Sequence, residues 1–186
     1  FNGVKILDDI TFDFHKGKTN LIIGKSGSGK SVLTKCMVGL LEPDIGDVFY
    51  QQTKLSTLKN KEKKEIRKQL GMLFQGSALF DSFSVEDNVA FPLKMFTSFS
   101  GNEIAERVNF CLNRVDIINK NELFPSELSG GMQKRVAIAR AIAMQPKYLF
   151  CDEPNSGLDP VTAIVIDELI KEITEEYDIT TVVITH

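Results

Sequence analysis

The stretch from Thr19 to Leu40 constrains this chain more than any other. Thr19–Ile23 is a short, mainly apolar run that feeds directly into Gly24-Lys25-Ser26-Gly27-Ser28-Gly29-Lys30-Ser31. Lys30–Leu40 then reads as a helix, stopped by Gly39 and Pro43. A Gx4GK[ST] turn between a strand and a helix is the arrangement that cradles phosphate oxygens with backbone N–H groups. Glycine permits the turn, and the helix N-terminus adds partial positive charge. In this reading Lys30 reaches the β- and γ-phosphates and Ser31 ligates Mg²⁺. The alternative is a chance glycine-rich turn, against which the flanking strand and helix both argue.

Strand-like and helix-like segments alternate along the rest of the chain. Ile10, Phe12 and Phe14 alternate with Thr11 and Asp13, which predicts a half-buried strand ending at Gly17. Gly46–Tyr50 reads as a weaker strand and Met72–Phe74 as a third apolar one. Lys54–Lys68 carries dense mixed charge at helical spacing, the pattern of a solvated helix face. Val85–Leu93, Glu103–Val115 and Met132–Met144 read as helices, Tyr148–Cys151 as a strand and Thr181–Ile184 as the last strand. Val161–Tyr177 reads as a helix with Ile166, Leu169, Ile170 and Ile173 on one face, Asp159 placed to cap it and Pro160 suited to its first turn. The alternation predicts an α/β fold with a mostly parallel sheet. From about Gly76 to Lys134 no strong strand interrupts the helical pattern. That segment, 76–134, reads as a helical subdomain inserted into a single domain over 1–186, leaving 1–75 and 135–186 as the α/β core.

Two further groups of residues suit phosphate chemistry. Tyr148-Leu149-Phe150-Cys151 delivers Asp152 and Glu153 to a strand end. There Asp152 can join Ser31 at Mg²⁺, and Glu153 can act as general base on, or orient, an attacking water. Adjacent acids after an apolar strand are also common surface caps, and it is the Gx4GK[ST] turn that favours the chemical reading. Gln75 follows the Met72–Phe74 strand. Its neutral amide can both coordinate Mg²⁺ and hydrogen-bond water, although a Gln at a strand end is by itself merely polar. His186 follows Thr181–Ile184, where an imidazole can contact the γ-phosphate or orient Glu153 and water; a lone His is otherwise incidental. Ser156-Gly157-Leu158-Asp159-Pro160 is a turn and helix cap that can also connect two active sites.

Leu128-Ser129-Gly130-Gly131-Met132 is a second glycine turn opening a helix, about a hundred residues after the first. It too suits an anion. A domain with one phosphate cradle has little use for a second on the same nucleotide. The economical reading is that this turn serves a nucleotide held by another copy of the chain.

Composition narrows the function classes. The chain has 186 residues, 42% of them hydrophobic, and a net charge of -3. It is long enough for one well-buried domain and carries no broad attraction for nucleic acid or anionic membrane. Cys36, Cys111 and Cys151 are far apart, with no CxxC or His/Cys cluster, and read as reduced, buried thiols of a cytosolic protein. No apolar run reaches the roughly 18 residues that span a bilayer, and no signal peptide is visible. The chain begins at Phe1 and stops at Thr185-His186 directly after an apolar run, which reads as a piece trimmed at both ends.

These motifs in this order resemble the ATP-binding-cassette (ABC) ATPase family across almost the whole chain. The resemblance implies a P-loop NTPase (RecA-like) core with a small antiparallel β-subdomain, and ATP with Mg²⁺ as cofactors. It makes Gly24, Lys25, Ser26, Gly27, Ser28, Gly29, Lys30 and Ser31 the Walker A loop, Gln75 the Q-loop glutamine, and Ser129, Gly130 and Gly131 the signature. Asp152 takes the Walker B aspartate's place, Glu153 the catalytic glutamate's and His186 the switch histidine's, with Asp159 in the D-loop. Phe1, before Asn2-Gly3, sits where the family places an aromatic that stacks on adenine. Implied partners are a second cassette in a head-to-tail dimer, with two ATP molecules between P-loop and signature, and membrane-spanning permease subunits that dock near Gln75. The implied location is peripheral, on the cytoplasmic face of the inner membrane.

A finer resemblance rests on Gly71-Met72-Leu73-Phe74-Gln75-Gly76-Ser77-Ala78-Leu79-Phe80-Asp81-Ser82, on Val85-Glu86-Asp87-Asn88-Val89-Ala90-Phe91-Pro92-Leu93, and on Pro125 to Met132. Together they resemble the ATPase of Mla-type phospholipid transporters, which work with a permease and a lipid-binding MCE-domain protein. Met132, where most cassettes carry Gln, agrees with that branch, whereas Asn155-Ser156-Gly157 departs from some of its members. Alternative expectations are a cassette for an amino-acid, metal or lipoprotein system, and a soluble ABC protein of translation, repair or cofactor assembly.

Overall fold

The computed structural model describes residues 5–186. Its main sheet holds four parallel strands in the order β1-β6-β5-β4: β1 Thr19–Ile23, β4 Leu70–Leu73, β5 Tyr148–Asp152 and β6 Thr180–Thr185. β5 and β6 lie in the middle, and their apolar runs follow from cover on both faces. Leu149, Cys151 and Val183 face one core; Phe150 and Val182 face the other. Helix α1 (Lys30–Met37) covers the second face through Leu33 and Met37. The larger core is closed by α3 (Val85–Phe96), α4 (Gly101–Arg114), α5 (Gly130–Ile142) and α6 (Pro160–Glu176). A two-stranded antiparallel sheet, β2 Phe49–Tyr50 with β3 Thr53–Lys54, stands apart from the main one.

Local chemistry sets the helix ends. α1 stops because Gly39 takes φ 71° and the N–H of Leu40 closes on the Lys35 carbonyl at 2.8 Å, a left-handed cap. Ser84, Ser100 and Ser129 cap α3, α4 and α5 through their hydroxyl oxygens, and Glu103 completes a capping box on α4. Asp159 accepts the Val161 and Thr162 N–H groups at 3.1 Å each, with Pro160 in the first turn of α6. Ile166, Ile170 and Ile173 are fully buried on one face of α6, and Leu169 packs beside them.

Two expectations are corrected. Ile10–Phe14 forms no strand: alternation provides a half-apolar surface, but a strand also needs a ladder partner, and none pairs with this segment among the described residues. Ile10 and Phe12 stay exposed, while Phe14 packs on the smaller core. The charged run Lys54–Lys68 is not one helix. It contains a short 3₁₀ turn at Leu55–Thr57 and then α2 (Asn60–Arg67), which buries no residue.

One close approach fixes how α5 lies on the sheet. A Cβ on Gly71, in β4, would sit 2.5 Å from the Ala141 carbonyl oxygen and 3.1 Å from both Leu149 and Pro146. Only glycine lets the strand meet the helix backbone there. Gly71→Ala is expected to destabilise the fold by about 1–3 kcal/mol, the usual range for overpacking. Chemical denaturation reads the loss, and an unchanged midpoint would contradict the contact.

Candidate active site

The parallel registers align four strand ends. Ile23 pairs with Thr185, Asp152 with Ile184 and Leu73 with Cys151. Gly24, Gln75, Glu153 and His186 therefore emerge at one carboxyl edge of the sheet, where α/β folds hold their ligands.

The glycine-rich loop leaves β1 with Gly27 and Gly29 at φ 76° and 89°. Gly29 is the left-handed N-cap of α1 and offers no side chain to its first turn, so those N–H groups face an incoming anion. Lys25, Ser26, Gly27 and Ser28 are exposed. Lys30 is almost buried and folds back into its own loop, donating to the carbonyls of Gly24 (2.5 Å) and Lys25 (3.0 Å). A Cβ on Gly24 would crowd Ser28 Oγ at 3.0 Å, so the cradle's interior is already close-packed.

Glu153 stands at the centre. Its backbone takes φ 46°, strained for a non-glycine residue, and is held by an N–H bond to the Ile184 carbonyl at 2.9 Å. Both carboxylate oxygens are engaged: Oε1 by His186 Nε2 at 2.6 Å, Oε2 by Gln75 Nε2 at 2.6 Å. His186 Nδ1 lies 3.3 Å from the Gly24 carbonyl and 3.4 Å from Lys30 Nζ. A neutral ring that donates from Nε2 and accepts at Nδ1 satisfies Glu153 and Lys30 together. Asp152 is one residue back on β5. Burial and the neighbouring Glu153 push its carboxyl above the ordinary range, while a hydrogen bond from Ser31 and the charges of Lys30 and Lys35 oppose them.

Ser129, Gly130 and Gly131 lie elsewhere. Among the described residues no hydrogen bond joins them to 24–31. Ser129 Oγ accepts from Met132 N at 3.3 Å and both Ser129 and Gly130 are exposed. Gly131 packs against α6, since a Cβ there would meet Thr162 Cγ2 at 2.7 Å. Phe1 falls outside the described residues.

The donor set suits nucleotide and magnesium. A lysine ammonium, left-handed glycines and an uncapped helix start suit phosphate, and Ser31 beside Asp152 supplies hard oxygen ligands. Among the described residues no three His, Cys, Asp or Glu side chains gather as a metal cluster. Mg²⁺ needs none, because it takes one or two carboxylates and fills its shell with phosphates and water.

Two participants carry no motif in the sequence. Lys134 on α5 is buried and donates to the Gln75 carbonyl. Burial pushes its ammonium below the ordinary lysine range, against the pull of Cys151, Asp152 and Glu153. Arg140 donates to the carbonyls of Ser77 (2.8 Å) and Ala78 (2.7 Å). For Lys134 helical spacing gives only a weak hint, since it shares a face with the buried Ala137, Ile138 and Ala141; for Arg140 there is none.

A glycine-rich phosphate cradle, paired carboxylates and parallel strand ends define a P-loop nucleotide-binding domain. The chain belongs to the ABC transporter family, whose profile matches residues 7–156. It is 40% identical over its whole length to the probable ribonucleotide transport ATP-binding protein mkl of Mycobacterium leprae and covers 54% of that protein. It is 43% identical over its whole length to the methionine import ATP-binding protein MetN of Clostridium tetani and covers 58% of it. With the intermembrane phospholipid transport system ATP-binding protein MlaF of Haemophilus influenzae it shares 42% identity, over 97% of this chain and 69% of that one. The chain thus spans little more than half of the first two relatives. A dimeric, post-hydrolysis structure of the ATP-binding cassette MJ0796 bound to ADP and Pi superposes with a TM-score of 0.87 at 34% identity, covering 97% of this chain and 80% of that one.

A carboxyl whose pKa is raised by folding penalises the folded state wherever it is ionised. The penalty is absent below the unfolded pKa and complete above the folded one. Asp152→Asn removes it, so the nucleotide-free variant is expected to melt higher than the parent at neutral pH. The gap should close as pH falls towards about 4, near the unfolded carboxyl's pKa. Circular dichroism melts test this; an equal or lower midpoint at neutral pH would mean that Ser31, Lys30 and Lys35 outweigh burial.

Proposed function

We propose that this chain is the ATP-binding and ATP-hydrolysing domain of an ABC transporter, with Glu153 as general base. The observation that carries the reading is the double grip on Glu153, by His186 and Gln75, directly beside the Lys30 loop. A carboxylate with both oxygens occupied is at rest. When the Gln75 amide leaves, Oε2 is free to take a proton from water, while His186 keeps Oε1 and the orientation. Lys30, now on its own loop carbonyls, has the β- and γ-phosphates as alternative partners, and His186 can follow it. Ser31, Asp152 and Gln75 are the residues to hold Mg²⁺, which supplies neutralisation of phosphate charge when bound.

The glycines and serines of 24–31 bind the triphosphate of one ATP, and Ser129, Gly130 and Gly131 approach the nucleotide of a second copy. The exposure of Ser129 and Gly130 at the start of α5, away from the chain's own cradle, supports a head-to-tail dimer. Residues 1–75 and 135–186 act as the nucleotide-binding core and 76–134 as the helical part, although α5 runs across that boundary. The part of a permease that docks has an apolar hollow of about 470 Å³ available, lined by Phe74, Phe80, Phe91, Pro92 and Phe96. No helix among the described residues is long and apolar enough to cross a membrane. The proposed location is peripheral, at the cytoplasmic face of the inner membrane, and the net charge of -3 gives no reason to add nucleic acid as a partner.

For the cargo we favour phospholipid moved between bacterial membranes, with an MCE-type lipid-binding protein as further partner. Met132 in the signature and the Gly76–Leu93 string support it, as does the likeness to a protein named for phospholipid transport. The comparable likeness to a protein named for methionine import keeps amino-acid uptake as the second reading.

Glu153→Gln is expected to keep ATP binding and to lower turnover in the assembled transporter by about 10²–10⁴-fold, since an amide cannot accept the proton. Near-normal hydrolysis would remove Glu153 from this role. For the cargo, the full-length protein purified from membranes should bring with it a permease and an MCE-domain protein. A permease accompanied by an amino-acid-binding lipoprotein would favour the import reading instead.

A further inference from the structure

The loop after β4 is strapped to α5. Lys134 Nζ donates to the main-chain carbonyl of Gln75, and further along the same helix Arg140 holds the carbonyls of Ser77 and Ala78. Ser77 and Ala78 sit in left-handed backbone at φ 62° and 47°, so this segment depends on its fastenings. Lys134 is only 3% exposed. Among the described residues it forms no ion pair, and its hydrogen bond goes to one neutral acceptor. Burial makes the ammonium costly and the nearby charges of Asp152 and Glu153 offset part of that cost, whereas an apolar side chain of similar length would fill the same space without the donor to Gln75. Packing alone therefore gives no reason for a lysine. Its position gives one. Lys134 stands one turn into the helix opened by Ser129-Gly130-Gly131, and the carbonyl it holds belongs to the residue whose amide grips Glu153 Oε2.

We propose that Lys134 is a positioning residue that ties the place of Gln75 to the place of the signature helix, so that displacement of α5 changes the hold of Gln75 on Glu153. The inference rests on the reading of Glu153 as the base. Lys134 touches neither nucleotide nor the attacking water; it acts through the Gln75 backbone. A residue of this kind alters how often the base is correctly released and leaves nucleotide binding alone.

The test uses the full-length protein assembled with its membrane partners and Mg-ATP as substrate. Lys134→Met is expected to lower kcat about tenfold, the worth of one charge-assisted hydrogen bond, with KM for ATP changed by less than about twofold. Lys134→Gln keeps an N–H donor and should recover most of kcat. In a Gln75→Ala background Lys134→Met should have almost no further effect. An unchanged kcat in Lys134→Met overturns the proposal, as do additive losses in the double variant, which would mean that Lys134 acts independently of Gln75. Should Lys134→Met fail to fold, Lys134→Arg is read in the same two backgrounds, because the larger guanidinium displaces the same carbonyl. Glu153→Gln separates the two levels. Retained turnover there sinks the base assignment. Lost turnover there with a normal Lys134→Met sinks only the Lys134 proposal.

Discussion

The parallel ladder of the four-stranded sheet is the constraint on which the rest depends. In a parallel sheet all strands end on the same side, so every loop that follows a strand is delivered to one edge. Residues distant in sequence, Gly24, Gln75, Glu153 and His186, become neighbours for that reason alone. The register between β5 and β6 also places Ile184 to receive the Glu153 N–H, which holds that residue in left-handed backbone. A slip of the ladder would separate Glu153 from both of its side-chain partners.

The sheet edge is also where opposing charge requirements meet. Lys30, Lys134, Asp152 and Glu153 crowd a partly buried region beside the exposed His186, and each of the four is tolerable only through a neighbour. Glu153 is satisfied by two hydrogen bonds, and Lys30 by carbonyls of its own loop. Asp152 is the least comfortable, with burial and Glu153 both working against its charge. A site composed this way is balanced for an added divalent cation and a polyanion arriving together.

Most of the site is legible in strings of adjacent residues. The glycine loop, the acids after Tyr148–Cys151 and the Ser129-Gly130-Gly131 turn each carry their meaning within a few positions. The α/β alternation likewise exposes the core, because central strands buried on both faces read as unbroken apolar runs. What stays hidden in the sequence depends on long-range partners. Lys134 and Arg140 lie in a helix otherwise readable by pattern, yet a basic residue there reads as solvent-facing unless the carbonyls it holds are known. Ile10–Phe14 fails in the opposite direction: its alternation is real, but no strand lies alongside to accept its hydrogen bonds among the described residues.

Gly131 pressed against Thr162 has a mechanical meaning. Thr162 is fastened to Asp159 both through its N–H at 3.1 Å and through its hydroxyl, and Leu158 rests 3.6 Å from where a Gly130 Cβ would lie. The starts of α5 and α6 thus meet at one corner, packed tightly at Gly131 and more loosely at Gly130. That corner is joined to Glu153 by only five intervening residues, Pro154 to Leu158. A molecule that meets the exposed Ser129 therefore lies beside the corner from which the chain runs back, through the Ser156-Gly157 turn, to its own base.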